Sequence, residues 1–206
     1  MSWLINNFIS FDDKTVIIHK DTSYTYKQLF DSIERIKKDV IEDKIDPGEV
    51  VSILSDYSFN SISLLLALYQ NNNIIVPITT NIKNEVNDRI EESFTSKSIS
   101  LNKDEFTINN HEVGSPHQMI KSLQDTNSSG LILFSSGSTG RPKAMIHNFD
   151  NLVNHHQDKK EKSVNMIVFL MFDHIGGLNT LLNILSMGAT MVIPRTRNAE
   201  DICKLI

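Results

Sequence analysis

The sequence predicts an α/β domain, a mainly parallel sheet flanked by helices. Two observations carry that prediction. Short β-branched runs alternate with stretches whose apolar residues recur at helical spacing, so strand and helix signals follow one another along the chain. The 206 residues are 40% hydrophobic and 22% charged, which fits one ordinary domain with a real core. The formal charge of −5 comes without a Lys/Arg-rich block, which argues against a nucleic-acid partner. The single cysteine, Cys203, excludes an internal disulfide framework and a cysteine metal cluster, and it fits a cytoplasmic protein. The start, M-S-W-L-I-N-N-F-I-S, lacks the basic residues and long apolar core of a signal peptide. The most apolar region, 164–193, is broken by Asp173, His174, Asn179 and Asn183, so it reads as a buried strand–helix–strand and not as a transmembrane segment.

Taken in order, T-V-I-I-H at 15–19 is a strand. Leu29, Ile33 and Ile36 recur at helical spacing, so a helix begins near Thr25. D-P-G at 46–48 is a turn, and V-V-S-I-L at 50–54 is the next strand. Residues 58–69 are apolar over most of a helical circumference and predict a buried helix; I-I-V-P-I at 74–78 is a strand again. Strand–helix–strand at this spacing implies a right-handed crossover and a parallel pair. Residues 83–94 form a solvated helix with Val86, Ile90 and Phe94 inward. Residues 97–129 are polar and poorly periodic, which predicts short strands or a hairpin; His111 and His117 there lack partners at metal-ligand spacing. A helix is expected over 148–157, capped by Asn148. Its His155 and His156 point apart, as solvated side chains. A buried strand is expected at 165–170. The last helix starts at Asn198 with an acidic first turn and stops mid-pattern at 206.

Between these elements lies L-I-L-F-S-S-G-S-T-G-R-P-K-A-M-I-H-N, residues 131–148. An apolar strand runs into a loop of small residues, Ser135 to Gly140, and a second strand follows. Small side chains let a ligand approach the backbone, and glycine permits dihedrals that turn successive N–H groups inward. Hydroxyls add donors, and Arg141 and Lys143 stand just beyond. That is a chemistry for gripping phosphate oxygens. A flexible linker is the plainer interpretation of such a run, but the buried-type strand leading in and the Pro142–Lys143 exit argue against it. The loop has neither the Walker A spacing nor G-x-G-x-x-G.

F-S-S-G-S-T-G-R-P-K resembles the phosphate-loop signature of the adenylate-forming ligases, the superfamily of acyl-CoA synthetases, firefly luciferase and peptide-synthetase adenylation domains. The usual run ends in glycine, where this chain has Ala144. Tyr24-Thr25-Tyr26-x-x-Leu29 resembles the first short motif, and the helix leading into Val76-Pro77 resembles the second, with Asn71–Asn73 where smaller residues are common. Phe172-Asp173-His174 and the following Gly176-Gly177-Leu178 resemble the fourth. His147 matches a polar position often filled by histidine.

The resemblance implies an enzyme that activates a carboxylic acid with ATP and Mg2+ to an acyl-adenylate, then passes it to the thiol of coenzyme A or of a carrier-protein phosphopantetheine. It assigns phosphate binding to Ser135, Ser136, Gly137, Ser138, Thr139, Gly140 and Lys143, and the acyl pocket to His174, Gly176 and Gly177. The later motifs are absent, including the magnesium-binding glutamate, the ribose-binding aspartate and the catalytic lysine. The chain is therefore expected to be a partial N-terminal domain over 1–206, with no complete catalytic set and no metal site of its own. Two alternatives stay open. Asp173 would suit an amino-acid adenylation domain, which uses an aspartate here for the substrate amino group; the placing of His174 and the double glycine favours a plain acid. The other alternative is a nucleotide-binding fragment without chemistry.

Overall fold

The computed structural model describes residues 2–102, 105–135 and 143–205. In chain order the elements are helix α1 (Trp3–Phe11), strands β1 (Thr15–His19) and β2 (Thr22–Thr25), α2 (Tyr26–Ile36), β3 (Val50–Leu54), α3 (Phe59–Gln70), β4 (Ile74–Ile78), α4 (Lys83–Glu92), β5 (Lys97–Asn102) and β6 (Glu105–Asn110). Then follow α5 (Gln118–Asp125), β7 (Gly130–Ser135), β8 (Lys143–Asn148), α6 (Phe149–Asn154), β9 (Asn165–Ile167), α7 (Ile175–Ser186), β10 (Thr190–Ile193) and α8 (Ala199–Cys203). A π-helical turn, Lys37–Ile41, extends α2.

Two sheets result. The larger has the order β6-β5-β3-β4-β7-β8. Its inner strands are parallel, and both edges are closed by antiparallel neighbours, β6 on β5 and β8 on β7. The smaller has the order β2-β1-β10-β9, parallel except for β2. The main core lies between them: Val51, Ile53, Leu131 and Leu133 of one sheet and Ile17 and Met191 of the other enclose the apolar faces of α1, α2, α3 and α7. Alternation along the strands sends Val50, Ile74, Val76 and Ile132 to the opposite face, where α4 and α5 cover them.

The helices form where the sequence supplies both a stripe and a cap. Thr25 and Gln28 make a reciprocal capping box at the start of α2. Ser58 and Ser61 make another at α3, whose Ser61–Tyr69 stretch is buried throughout. Each fully buried Leu or Ile contributes roughly 1.5–3 kcal/mol, so α3 anchors the domain. Its own hydroxyls are satisfied locally: Ser63 Oγ donates to the Phe59 carbonyl at 2.8 Å.

Several expectations need correction. Helix α1 was not foreseen, although Leu4, Ile5, Phe8 and Phe11 recur at helical spacing and are buried. Helix α5 lies inside the polar stretch expected to hold only strands, beside the β5–β6 hairpin. Helix α6 is shorter than 148–157. The strand expected over 165–170 is only β9; Phe169 beyond it is 54% exposed, because β9 is an edge strand and the chain leaves the sheet there. His156 is not solvated. It is buried, and its Nε2 lies 3.1 Å from Asn179 Oδ1 on α7.

Candidate active site

Strands β4 and β7 run parallel, so Thr79, just past β4, and Ser135, the last residue of β7, stand at the same end of the sheet. Ligands collect at the carboxyl ends of such strands. Across the β7–β8 ladder Ser135 pairs directly with Lys143, and Phe134 with Ala144. The strand–loop–strand expectation holds at both bases of the loop. The expected site residues Ser136, Gly137, Ser138, Thr139 and Gly140 lie outside the described residues. Lys143 is exposed.

The residues expected in the acyl pocket lie where the chain passes from the smaller sheet into α7. The chain leaves β9 and reaches α7 through Met171, Phe172, Asp173 and His174. Phe172 is fully buried and meets Tyr57 edge-on, centroid to centroid 4.9 Å, which fixes this segment against the end of β3. His174 occupies the N-cap position of α7, yet its side chain makes no capping bond. It is exposed and faces a cleft of about 350 Å³ whose walls also include Arg89, Phe134, Ser135, Met145 and Asp173. The fold thus brings Ser135 and His174 to one cleft.

Asp173 is the electrostatic centre of that wall. It is 9% exposed, and its Oδ2 accepts from Arg89 Nη1 at 2.8 Å, Thr79 Oγ1 at 2.8 Å and the Thr79 amide at 3.2 Å. Sequence inspection placed neither Arg89 nor Thr79 in the site. Arg89 sits on a helix whose charges look like a solvated face, and only the packing of α4 against the sheet turns it inward.

The two expected pocket glycines, Gly176 and Gly177, are not among the residues that line the cleft. A Cβ on Gly177 would stand 2.2 Å from the Met171 carbonyl oxygen, so glycine is required there by backbone contact. A Cβ on Gly176 would meet only the tip of Leu170, at 2.8 Å. Both sit behind His174 and set how tightly the segment before α7 folds back on the helix. His147, on β8, has an Nε2 that is buried without a hydrogen-bond partner.

Two more groups lie at the same end of the molecule. Asp56, after β3, receives Nη1 and Nη2 of Arg197 at 2.5 and 2.9 Å. Burial alone would raise the Asp56 carboxyl, but the Arg197 hydrogen bonds, the Tyr57 amide and the Arg197 charge outweigh it and hold the group below the usual carboxylate range. Two hollows elsewhere, of about 430 and 590 Å³, lie around Phe94 and contain none of the expected site residues.

The model of the family described as AMP-binding enzyme matches residues 87–206. This chain belongs to that family. Among curated relatives of this AMP-binding chain, the 2-succinylbenzoate–CoA ligase of Bacillus pumilus is 21% identical over 98% of it, and the chain spans 45% of that ligase. The D-alanine–D-alanyl carrier protein ligase of Lacticaseibacillus rhamnosus is 24% identical over 74% of the chain, which spans 34% of that relative. Among solved structures, the N-terminal subdomain of NpsA from Klebsiella oxytoca superposes with a TM-score of 0.78 at 17% identity, covering 98% of this chain and 58% of its own. The o-succinylbenzoate CoA synthetase of Bacillus subtilis, solved with its acyl-adenylate intermediate, gives 0.75 at 16% identity, covering all of this chain and 59% of its own. At these identities the superpositions carry the fold. Among the described residues no helix is long and apolar enough to cross a membrane.

Proposed function

We propose that this chain is the N-terminal part of an acyl-CoA synthetase-like ligase, which joins a carboxylic acid to ATP as an acyl-adenylate and then passes the acyl group to a thiol of coenzyme A or a carrier protein. One observation carries this: Ser135, at the base of the small-residue loop, and His174 line the same cleft. A carboxylate attacking the α-phosphorus of ATP is repelled by the triphosphate, so the site must neutralise charge and hold both partners in line. Lys143 supplies the positive charge at the loop base, and the run from Ser135 to Gly140 supplies backbone and hydroxyl donors to the β- and γ-phosphates. His174 stands beside the acid. Magnesium accompanies ATP in this reaction; none of the residues proposed here is assigned to it.

The position of Asp173 favours a plain carboxylic acid over an amino acid. The Arg89 cation bonded to its Oδ2 already offsets the carboxylate charge that would attract a substrate ammonium. The test is ATP–pyrophosphate exchange by the full-length protein with a panel of aryl, alkyl and amino acids. Exchange is expected with an acid that lacks an α-amino group; exchange with amino acids alone would overturn the choice. In the same protein Lys143→Ala should slow adenylation by on the order of ten- to a thousand-fold. Thiol transfer from a supplied acyl-adenylate should suffer much less, since no pyrophosphate is then present. Equal losses in both half-reactions would mean that Lys143 does not act on the phosphates.

A further inference from the structure

We infer that Arg89 is a positioning residue for adenylation, acting through Asp173 and Phe134 to fix where His174 stands relative to the Ser135 end of β7. This rests on the function proposed above. Three parts of the chain meet at the Arg89 guanidinium on α4. Its Nη1 donates to Asp173, the residue before His174. Its Cζ lies 5.4 Å from the ring centroid of Phe134, the residue before Ser135. Asp173 in turn accepts from the amide and hydroxyl of Thr79, at the end of β4. One planar cation thus spans from the wall that carries His174 to the strand that carries the phosphate loop.

The physical case is that this pair contributes geometry more than stability. The Arg89 and Asp173 side chains are 19% and 9% exposed, and two charges taken that far out of water recover little net energy over an apolar pair of the same size. Arg89 Nε is buried without a hydrogen-bond partner, so the guanidinium is placed with one donor left unused. What it does offer is a rigid planar cation with one N–H on a carboxylate and its centre over an aromatic ring. The Gly177 contact with Met171 fixes the segment from behind, and Arg89 fixes it from the cleft side. Reacting groups displaced by about 1 Å can lose on the order of a hundred-fold in rate.

The experiment uses the full-length protein with Arg89→Met, Arg89→Lys, Asp173→Asn and the double variant Arg89→Met/Asp173→Asn. Adenylation is followed by pyrophosphate exchange, and folding by the thermal midpoint. Arg89→Met alone leaves a buried carboxylate without its counter-charge and should lower both. The double variant removes that charge and should recover most of the thermal midpoint. Its kcat should stay at least about ten-fold down with the acid KM within about three-fold, because the link from His174 to the strand end is still missing. Arg89→Lys keeps the charge but not the flat fork and should restore turnover only in part. Full recovery of kcat in the double variant would overturn the proposal, since the pair would then only balance charge. A rise in acid KM with unchanged kcat in Arg89→Met would overturn it too, since Arg89 would then bind the acid itself. If the unaltered protein shows no exchange with any acid, the functional assignment fails first, and the positioning role falls with it.

Discussion

Asn73 shows how much a single polar side chain can organise. It is fully buried, and its Nδ2 donates to the Asp46 carbonyl at 2.8 Å and the Glu49 carbonyl at 3.3 Å, while its own carbonyl accepts from Ser129 Oγ and the Gly130 amide. The side chain therefore ties the turn before β3 to β4, and the backbone ties β4 to the start of β7. Asn73→Ala is expected to destabilise the domain by about 1–3 kcal/mol, the cost of leaving buried groups unpaired, as read from chemical denaturation; a loss below about 0.5 kcal/mol would show that water replaces the amide. His156 acts at the same scale. Burial lowers its pKa, the Asn179 hydrogen bond opposes this, and His155 and Lys159 add to the lowering. An unfolded histidine titrates near about 6.5, so between that pH and the lower folded value the unfolded chain holds the extra proton. The stability from neutral His156 is complete above about pH 6.5 and is lost as pH falls below it. Denaturation of the parent and His156→Gln should therefore show a gap that narrows between about pH 7.5 and 5.5; a gap that stays constant would mean that His156 does not titrate there.

At the scale of elements, the helix ends repeat one device. Helices α3, α4, α5 and α7 each finish with a residue at positive φ, namely Asn72 (57°), Phe94 (56°), Asn127 (50°) and Gly188 (63°). The amide after each bonds back to the carbonyl five residues earlier, as in Asn73 to Leu68 and Ala189 to Ile184. Glycine is required only at 188, where a Cβ would also stand 2.8 Å from the Phe11 ring. Gly188→Ala should cost about 1–2 kcal/mol from the backbone alone, whereas Asn127→Gly on the exposed α5 should be neutral or slightly stabilising. Comparable effects in the two variants, measured by thermal unfolding, would contradict this account. The same contrast explains what was legible beforehand. Strands β1, β3 and β4 and helices α2 and α3 announce themselves because their apolar period is strong and their caps are local. The short α5 lies in polar sequence and exists because it covers one face of the large sheet. The Arg89–Asp173–Thr79 cluster joins Asp173 to residues more than 80 positions earlier, so no local pattern could reveal it, while His174 and the loop bases stand in runs that resemble family motifs.

On the scale of the whole molecule, Arg197 joins the two sheets at the end where β3 and β4 finish. Beyond its paired bonds to Asp56, its Nε donates to the Phe169 carbonyl at 2.8 Å, so one side chain holds the segments that follow β3, β9 and β10. The folded Asp56 carboxyl titrates below its unfolded value. Its contribution is thus present above about pH 4, the unfolded carboxylate value, and is lost as pH falls through the folded pKa. Thermal midpoints of the parent should fall faster in that acid window than those of Asp56→Asn. Parallel curves would show that the pair is screened by solvent at this exposed position.

The interleaving of the smaller sheet has a consequence in time. Strand β1 is made well before its parallel partner β10, where Ile17 meets Met191. The larger sheet is composed wholly of intervening residues. During synthesis β1 therefore has β2 as its strand partner, and at about 5–20 residues per second the wait for β10 is on the order of ten to thirty seconds. The larger sheet can assemble in that interval, but the wall bearing His174 cannot settle until β10 arrives. The His174 wall of the cleft is thus set later than the larger sheet.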